Sequence, residues 1–396
     1  MRRDPAGPIK AETWAMIRQL VAFDTTSRES NLGLIEWVRD WLRALGVESR
    51  LTYDSDRKKA NLFATVRKGA QGGIVLSGHT DVVPVDGQPW DTDPFEATIR
   101  DDRIYGRGSA DMKSFIGTAL AMTPRFLEAD LAAPVHFALS YDEEVGCLGV
   151  RGLIEDLARN AIAPAGCIVG EPTSMQPVIA HKGKRAYRCC VRGKEAHSAL
   201  TPQGVNAIEY AAKLVVYVRH LADRMRELET RDHAFDVPFT TLQTGVIKGG
   251  TAANIVPRDC EVHFEFRYLP GVDPDALERE IKDYAERVLL PEMRAVDPAT
   301  AIAFETKAEI PGLDMAERDG LTDLAKSLAR NQTVSKVAYA TEAGLFQRAG
   351  IPSIICGPGS IEQAHKPNEY IALEQVALCE SFMERLLVQL QRTEPR

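Results

Sequence analysis

Four short, largely apolar runs punctuate this sequence: Ile74-Val75-Leu76, Val135 to Leu139, Cys167-Ile168-Val169 and Ser353 to Cys356. Runs this short, bounded by turn-forming residues, read as strands buried on both faces. Helical segments separate the first three, which is the pattern of an α/β sheet with helix crossovers. Upstream, Glu12 to Phe23 reads as an amphipathic helix. Leu34, Trp37, Val38, Trp41, Leu42 and Leu45 fall at helical spacing in a second.

The middle of the chain differs. Tyr187 to Val191 and Gly245 to Ile247 read as strands, and between Cys260 and Tyr268 apolar residues (Val262, Phe264, Phe266, Tyr268) alternate with polar ones. Such alternation marks a sheet whose two faces meet different surroundings. Two helices, about Val205 to Glu229 and Asp273 to Leu290, accompany these strands. The expected organisation is an α/β domain with a mixed, largely parallel sheet flanked by helices, built from residues 1–183 and 300–396. A small α+β domain, residues 184–299, is inserted in it. The chain closes with a helix from Leu373 to Leu390.

Bulk properties exclude several classes. The net charge of −8 over 396 residues argues against a general nucleic-acid binder, which needs a basic surface. No apolar run reaches membrane-spanning length, and Met1-Arg2-Arg3-Asp4-Pro5 has no apolar stretch behind it, so no secretion signal is expected. The seven cysteines are odd in number and contain no Cys-x-x-Cys pair. Neither a disulfide framework nor a thiolate zinc site is expected, and the composition suits a cytoplasmic protein.

The residues just after the apolar runs carry the chemistry. The first run leads into Ser77-Gly78-His79-Thr80-Asp81, the second into Ser140-Tyr141-Asp142-Glu143-Glu144, and the third into Gly170-Glu171-Pro172-Thr173. In open α/β sheets the ligand site lies beyond the carboxyl ends of the strands. Three strands therefore deliver His79, Asp81, Glu143, Glu144 and Glu171 to one crevice. Asp111 lies in a glycine-rich turn opening a helix from Ser114 to Met122, and the fourth run leads through Gly357-Pro358-Gly359 to His365. Each element has a plainer reading taken alone: Asp111 as a helix cap, Glu143-Glu144 as a solvated helix start, Gly357-Pro358-Gly359 as a turn. Together they form a set of carboxylates that repel one another unless a cation sits among them. Imidazole and carboxylate oxygen suit zinc, cobalt or manganese in an open, catalytic site, and the number of ligands is enough for two ions.

Ser77 to Pro84, Gly106 to Lys113, Asp142 to Gly146 and Gly170 to Thr173 resemble the zinc aminoacylase and carboxypeptidase family, in its order and at its spacings. The resemblance covers nearly the whole chain. It implies that His79 and Glu171 bind one metal, that Glu144 and His365 bind the other, and that Asp111 bridges them. Asp81 would orient His79, and Glu143 would be the general base. A cis peptide is implied after Asp111. In the inserted domain, His197 would hydrogen-bond the scissile carbonyl oxygen, and that domain would serve as lid and homodimer contact. Asn254, Arg267, Glu342 and Gly357 would contact substrate. For Arg267 an exposed strand residue, and for Glu342 a surface glutamate, stay open as alternatives. His136 and His263 read as structural, His181 as lining the hinge between domains, and His220 and His233 carry no assigned role.

The implied activity is two-metal hydrolysis of the amide of an N-acyl amino acid, with Zn2+ or Co2+. Ala340 to Phe346 and Cys356 to Pro367 look most like the family members that act on N-acetyl-L-ornithine, and the resemblance implies that substrate, with its ammonium facing Glu342. The alternatives are an N-succinyl-diaminopimelate or dipeptide hydrolase of the same family, and a non-catalytic binding protein on the same fold. The last is expected to have lost ligands or the base, and here every one is present.

Overall fold

Strands whose residues are all buried belong in the middle of a sheet covered on both faces, and the four apolar runs take those places. In the computed structural model, which describes residues 8–67 and 72–391, they form Ile74–His79, Val135–Ser140, Gly166–Pro172 and Ser353–Gly357, with every residue buried. Val135–Ser140, Ile74–His79, Gly166–Pro172 and Ser353–Gly357 lie side by side in that order, each pair parallel. Antiparallel strands flank them, Ala60–Val66 pairing with Val135–Ser140 and with Ser49–Tyr53. Among the described residues the sheet has nine strands, mixed and largely parallel at its centre as expected. The segment Met1 to Pro5 lies outside the described residues.

Parallel neighbours require crossovers. Helix Lys113–Ala121 and the short Thr123–Glu128 lie between the first two central strands in sequence, and Gly149–Arg159 between the second and third. Lys113–Ala121 is apolar nearly all round and buried from Lys113 to Leu120, as a helix enclosed by other layers must be. By contrast Leu32–Ala44 is one-sided: it buries Leu34, Ile35, Val38 and Leu42, each worth about 1.5–3 kcal/mol of transfer free energy. The closing helix is Leu373–Leu390.

Two compact units emerge. The first comprises residues up to Ala180, Leu313–Lys336 and the chain from Thr341 onward; the second comprises His181–Gly312 and Val337–Ala340. Four antiparallel strands make the sheet of the second, in the order Thr241–Gly249, Asp259–Tyr268, Gly183–Arg192, Ala301–Ile310. The alternation in Asp259–Tyr268 places Val262, Phe264, Phe266 and Tyr268 on one buried face with Tyr187, Cys189 and Val191. Phe264 faces Tyr187 across the strands, their rings stacked with centroids 5.2 Å apart. Helices Ala207–Leu228 and Pro274–Tyr284 bring Leu214, Val218, Leu221, Leu277 and Ile281 into that core. Both begin at capping side chains, Asn206 and Asp273, which accept from the first free backbone amides at about 1 kcal/mol each.

The second unit runs past residue 299 because Ala301–Ile310 hydrogen-bonds along Gly183–Arg192, from Ala301 opposite Arg192 to Ile310 opposite Lys184. Its exposed, weakly alternating residues gave no strand signal. No helix among the described residues is long and apolar enough to cross a membrane.

Candidate metal centre

The carboxyl ends of the parallel strands set the site. His79 ends its strand, Glu171 is the penultimate residue of Gly166–Pro172, and Glu143 and Glu144 follow Val135–Ser140 in the next turn. Asp111 precedes helix Lys113–Ala121, and the Asp111–Met112 peptide is cis, as implied by the family pattern. His365 follows a short 3-10 turn, Ile361–Gln363.

These residues converge. Ligand-type atoms of His79, Asp111 and Glu171 lie within 4.8 Å of one another, and so do those of Asp111, Glu144 and His365. Asp111 belongs to both groups through different oxygens. Its Oδ1 is 3.0 Å from His79 Nε2, and its Oδ2 is 3.3 Å from His365 Nε2. Glu171 Oε1 stands 3.9 Å from His79 Nε2, and Glu144 Oε1 3.1 Å from His365 Nε2. One carboxylate presenting an oxygen to each of two His/Glu pairs is the donor arrangement of a bridged two-cation site.

Electrostatics favour the same reading. Burial drives the Glu171 carboxyl well above the ordinary carboxylate range, and the charge of Asp111 adds to it. Burial likewise raises Glu144, again with Asp111 contributing. For His79 burial opposes the charge, yet the hydrogen bond to Asp111 and the nearby carboxylates of Asp81 and Glu171 outweigh it and hold its pKa well above the ordinary value. Hydrogen bonding to Asp111 and Glu144 raises His365 to about 10. Carboxylates and imidazoles drawn this close and stripped of water leave a charge balance that a divalent cation would satisfy.

Asp81 differs in detail from expectation. His79 Nδ1 lies 2.8 Å from the Asp81 backbone carbonyl, while the carboxylate is 3.6 Å away. The carboxylate instead accepts the Ser27 hydroxyl at 2.7 Å and the backbone amides of Glu143 and Glu144 at 3.1 and 3.3 Å. It therefore fixes the turn that carries the base and one ligand. Glu143 accepts the Cys147 thiol at 3.3 Å, and loss of water lifts its carboxyl to about 8. Neither Ser27 nor Cys147 had a signal in the sequence, because both act only through tertiary contacts.

Two of the expected substrate contacts, Glu342 and Gly357, are buried. Glu342 is 1% exposed, and neither carboxylate oxygen has a hydrogen-bond partner among the described residues; burial raises it to about 7. It is not a surface glutamate, and its charge is felt by Glu143 of the cluster. Gly357 is committed to packing: a Cβ there would lie 2.0 Å from the Gly170 carbonyl oxygen. Its amide donates to Thr173 Oγ1, and its carbonyl accepts from Thr173 and Met175.

The other expected residues sit in the second unit. His197 is exposed, and its Nδ1 accepts from the Ala199 amide at 3.1 Å, which leaves the proton of the neutral ring on Nε2. Asn254 is exposed on the adjoining loop, its carbonyl accepting from the Ser198 amide at 3.1 Å. Arg267 is half-buried and pairs with Glu265 at 3.2 Å. Of the remaining histidines, His136 bridges Thr65 and the Gly72 carbonyl, and His263 pairs with Glu261. His181 is buried, its Nδ1 2.8 Å from the Lys182 carbonyl.

Known proteins share this framework. The family model described as peptidase family M20/M25/M40 matches residues 75–389. Acetylornithine deacetylase of Pasteurella multocida is 33% identical over 362 residues, covering 91% of this chain and 92% of the relative. The Proteus mirabilis enzyme of the same name is 34% identical over 379 residues, covering 94% and 95%. Among solved structures, the M20 metallo-carboxypeptidase Sso-CP2 of Sulfolobus solfataricus superposes with a TM-score of 0.76 at 19% identity, covering 96% of this chain and 99% of that one. A Bacillus subtilis protein described as a dinuclear metal-binding M20 peptidase does so with a TM-score of 0.64 at 16% identity, covering 96% and 99%. The chain belongs to the M20/M25/M40 peptidase family and is a hydrolase.

Proposed function

We propose that this hydrolase cleaves the amide of N-acetyl-L-ornithine, releasing L-ornithine and acetate, with two divalent ions held in the cluster. The observation that carries the metal part is the sharing of Asp111 between the His79/Glu171 and Glu144/His365 pairs. The all-oxygen-and-imidazole donor set suits zinc, and cobalt is the second candidate. When bound, such ions supply Lewis acidity and make a water ionisable near neutral pH.

The protein's part follows from its own groups. Glu143, at the mouth of the strands and held by the Asp81-anchored turn, takes the proton of the attacking water. It then returns a proton to the leaving α-amine. His197, with Nε2 protonated, is assigned as donor to the acyl oxygen. Asn254 and Arg267 are assigned to the substrate's amino-acid portion. The choice of acyl group and amino acid rests on the relatives named acetylornithine deacetylase.

We assign a homodimer contact to the second unit. Support comes from its outer strand Thr241–Gly249, which leaves Val246 and Ile247 exposed and offers an unpaired edge. The seven unpaired cysteines suit a reducing compartment such as the cytoplasm.

The test is a substrate panel with zinc-loaded protein: N-acetyl-L-ornithine, N-succinyl-diaminopimelate and a dipeptide. Fastest turnover is expected on N-acetyl-L-ornithine. Preference for another member would keep the hydrolytic chemistry and overturn the substrate.

A further inference from the structure

The two halves of the cluster reach the site on different loops, Asp111 before helix Lys113–Ala121 and His365 more than 250 residues later. His365 holds a left-handed backbone (φ 65°) and Asn368 another (φ 56°), so the segment is an irregular loop with no strand or helix ladder of its own to fix it. Something must hold this loop in register with the Asp111 turn.

A buried ion pair lies between them. Arg107 and Glu369 are each 1% exposed, and Arg107 Nη1 donates to Glu369 Oε2 at 2.6 Å. The other oxygen, Glu369 Oε1, accepts the backbone amides of Ala110 at 2.8 Å and of Asp111 itself at 3.1 Å. The Glu369 carbonyl accepts from the Gly106 amide at 3.0 Å. From the guanidinium the contacts continue to the His365 side. Arg107 Nη1 reaches the Lys366 carbonyl at 3.3 Å and Nη2 donates to Gln88 Oε1 at 2.6 Å. Gln88 Nε2 in turn donates to the His365 carbonyl at 3.0 Å. The Trp90 ring lies under the guanidinium, 5.2 Å from its carbon.

We propose that Glu369, locked by Arg107, is a positioning residue that clamps the Asp111 turn and the His365 loop into one frame, so that Asp111 can serve both half-sites at once. The inference rests on the two-metal reading of the cluster and concerns geometry, since Glu369 is not itself a ligand. Its carboxylate holds the Asp111 amide and, through Arg107, the Lys366 carbonyl beside His365. A Gln side chain keeps the shape but loses the charge that binds the guanidinium and one of the acceptor oxygens. Partners one step removed from a metal characteristically change metal affinity about ten- to hundredfold when replaced.

The test is calorimetric zinc titration of metal-stripped wild type, Glu369→Gln and Gln88→Ala, with the melting temperature of each metal-free protein measured alongside. Gln88 is only partly buried, so its variant keeps the fold while cutting the link from Arg107 to His365. The wild type is expected to bind two ions. Glu369→Gln is expected to weaken at least one site about ten- to hundredfold, and Gln88→Ala to weaken the same site by less. Two ions in the wild type with unchanged affinities in both variants would overturn the clamp, even if Glu369→Gln melts lower. Fewer than two ions in the wild type would overturn the two-metal reading itself, and the clamp with it.

Discussion

Glu143 and Glu342 are two carboxyls that the same fold treats differently. Glu143 stands at the edge of the cluster with a thiol on one oxygen and an anchored backbone, which is what a proton-transfer group needs. Glu143→Gln is expected to bind zinc as the wild type does while turnover falls about 10²- to 10⁴-fold; assays of bound zinc and of amine release check both halves. Glu342 is buried, and among the described residues neither of its oxygens has a hydrogen-bond partner. A carboxyl whose folded pKa is raised from 4.5 to about 7 costs nothing below the lower value and increasingly more as pH rises to the upper one. In metal-free protein, Glu342→Gln should therefore gain stability over the wild type between those pH values, approaching on the order of 3 kcal/mol by neutrality. Denaturant melts at several pH values measure this, and a constant difference between the two proteins would contradict it. Both residues were visible in the sequence as acidic positions. What separates them is burial, which no spacing discloses.

Strand ends were the most legible part of the chain. A parallel strand buried on both faces is a short apolar run, and its carboxyl end is where ligands gather. Both facts follow from composition and order alone, so His79, Glu143, Glu144 and Glu171 could be grouped from the sequence. Ala60–Val66 and Ala301–Ile310 escaped because polar residues interrupt them, Asn61 and Thr65 in the first and Glu305, Thr306, Lys307 and Glu309 in the second. The helix expected from Asp273 to Leu290 runs on to Val296 through a wider π turn at Ala285–Leu289, a break that periodicity does not register. Ser27, Cys147 and Glu369 were invisible for a common reason: each contributes through tertiary contacts that carry no sequence pattern. Gly357 has a packing role that its place in a glycine-proline-glycine turn does not disclose. It lets Ser353–Gly357 approach Gly166–Pro172 so closely that a methyl group would strike the neighbouring backbone. Gly357→Ala is expected to lower stability by about 3 kcal/mol or more, seen as a lower denaturant midpoint. A midpoint unchanged from the wild type would contradict the packing role.

Of the two units with separate cores, one carries both candidate ligand groups found among the described residues, and the other carries His197, Asn254 and Arg267, which are proposed to meet the substrate. The second unit also presents the exposed edge of Thr241–Gly249. Placing a charge on it, as in Ile247→Lys, is expected to shift a dimer to monomer in sedimentation analysis while the zinc content per chain stays unchanged; a monomeric wild type would remove the dimer assignment. The function proposed for the whole molecule stands on the bridged cluster in the first unit. It is tested most directly by adding zinc stepwise to metal-stripped protein and following amine release from N-acetyl-L-ornithine alongside zinc bound per chain. Negligible turnover is expected without metal, and full turnover only as binding approaches two ions per chain. Undiminished turnover in the stripped protein, or zinc binding that ends at one ion, would contradict it.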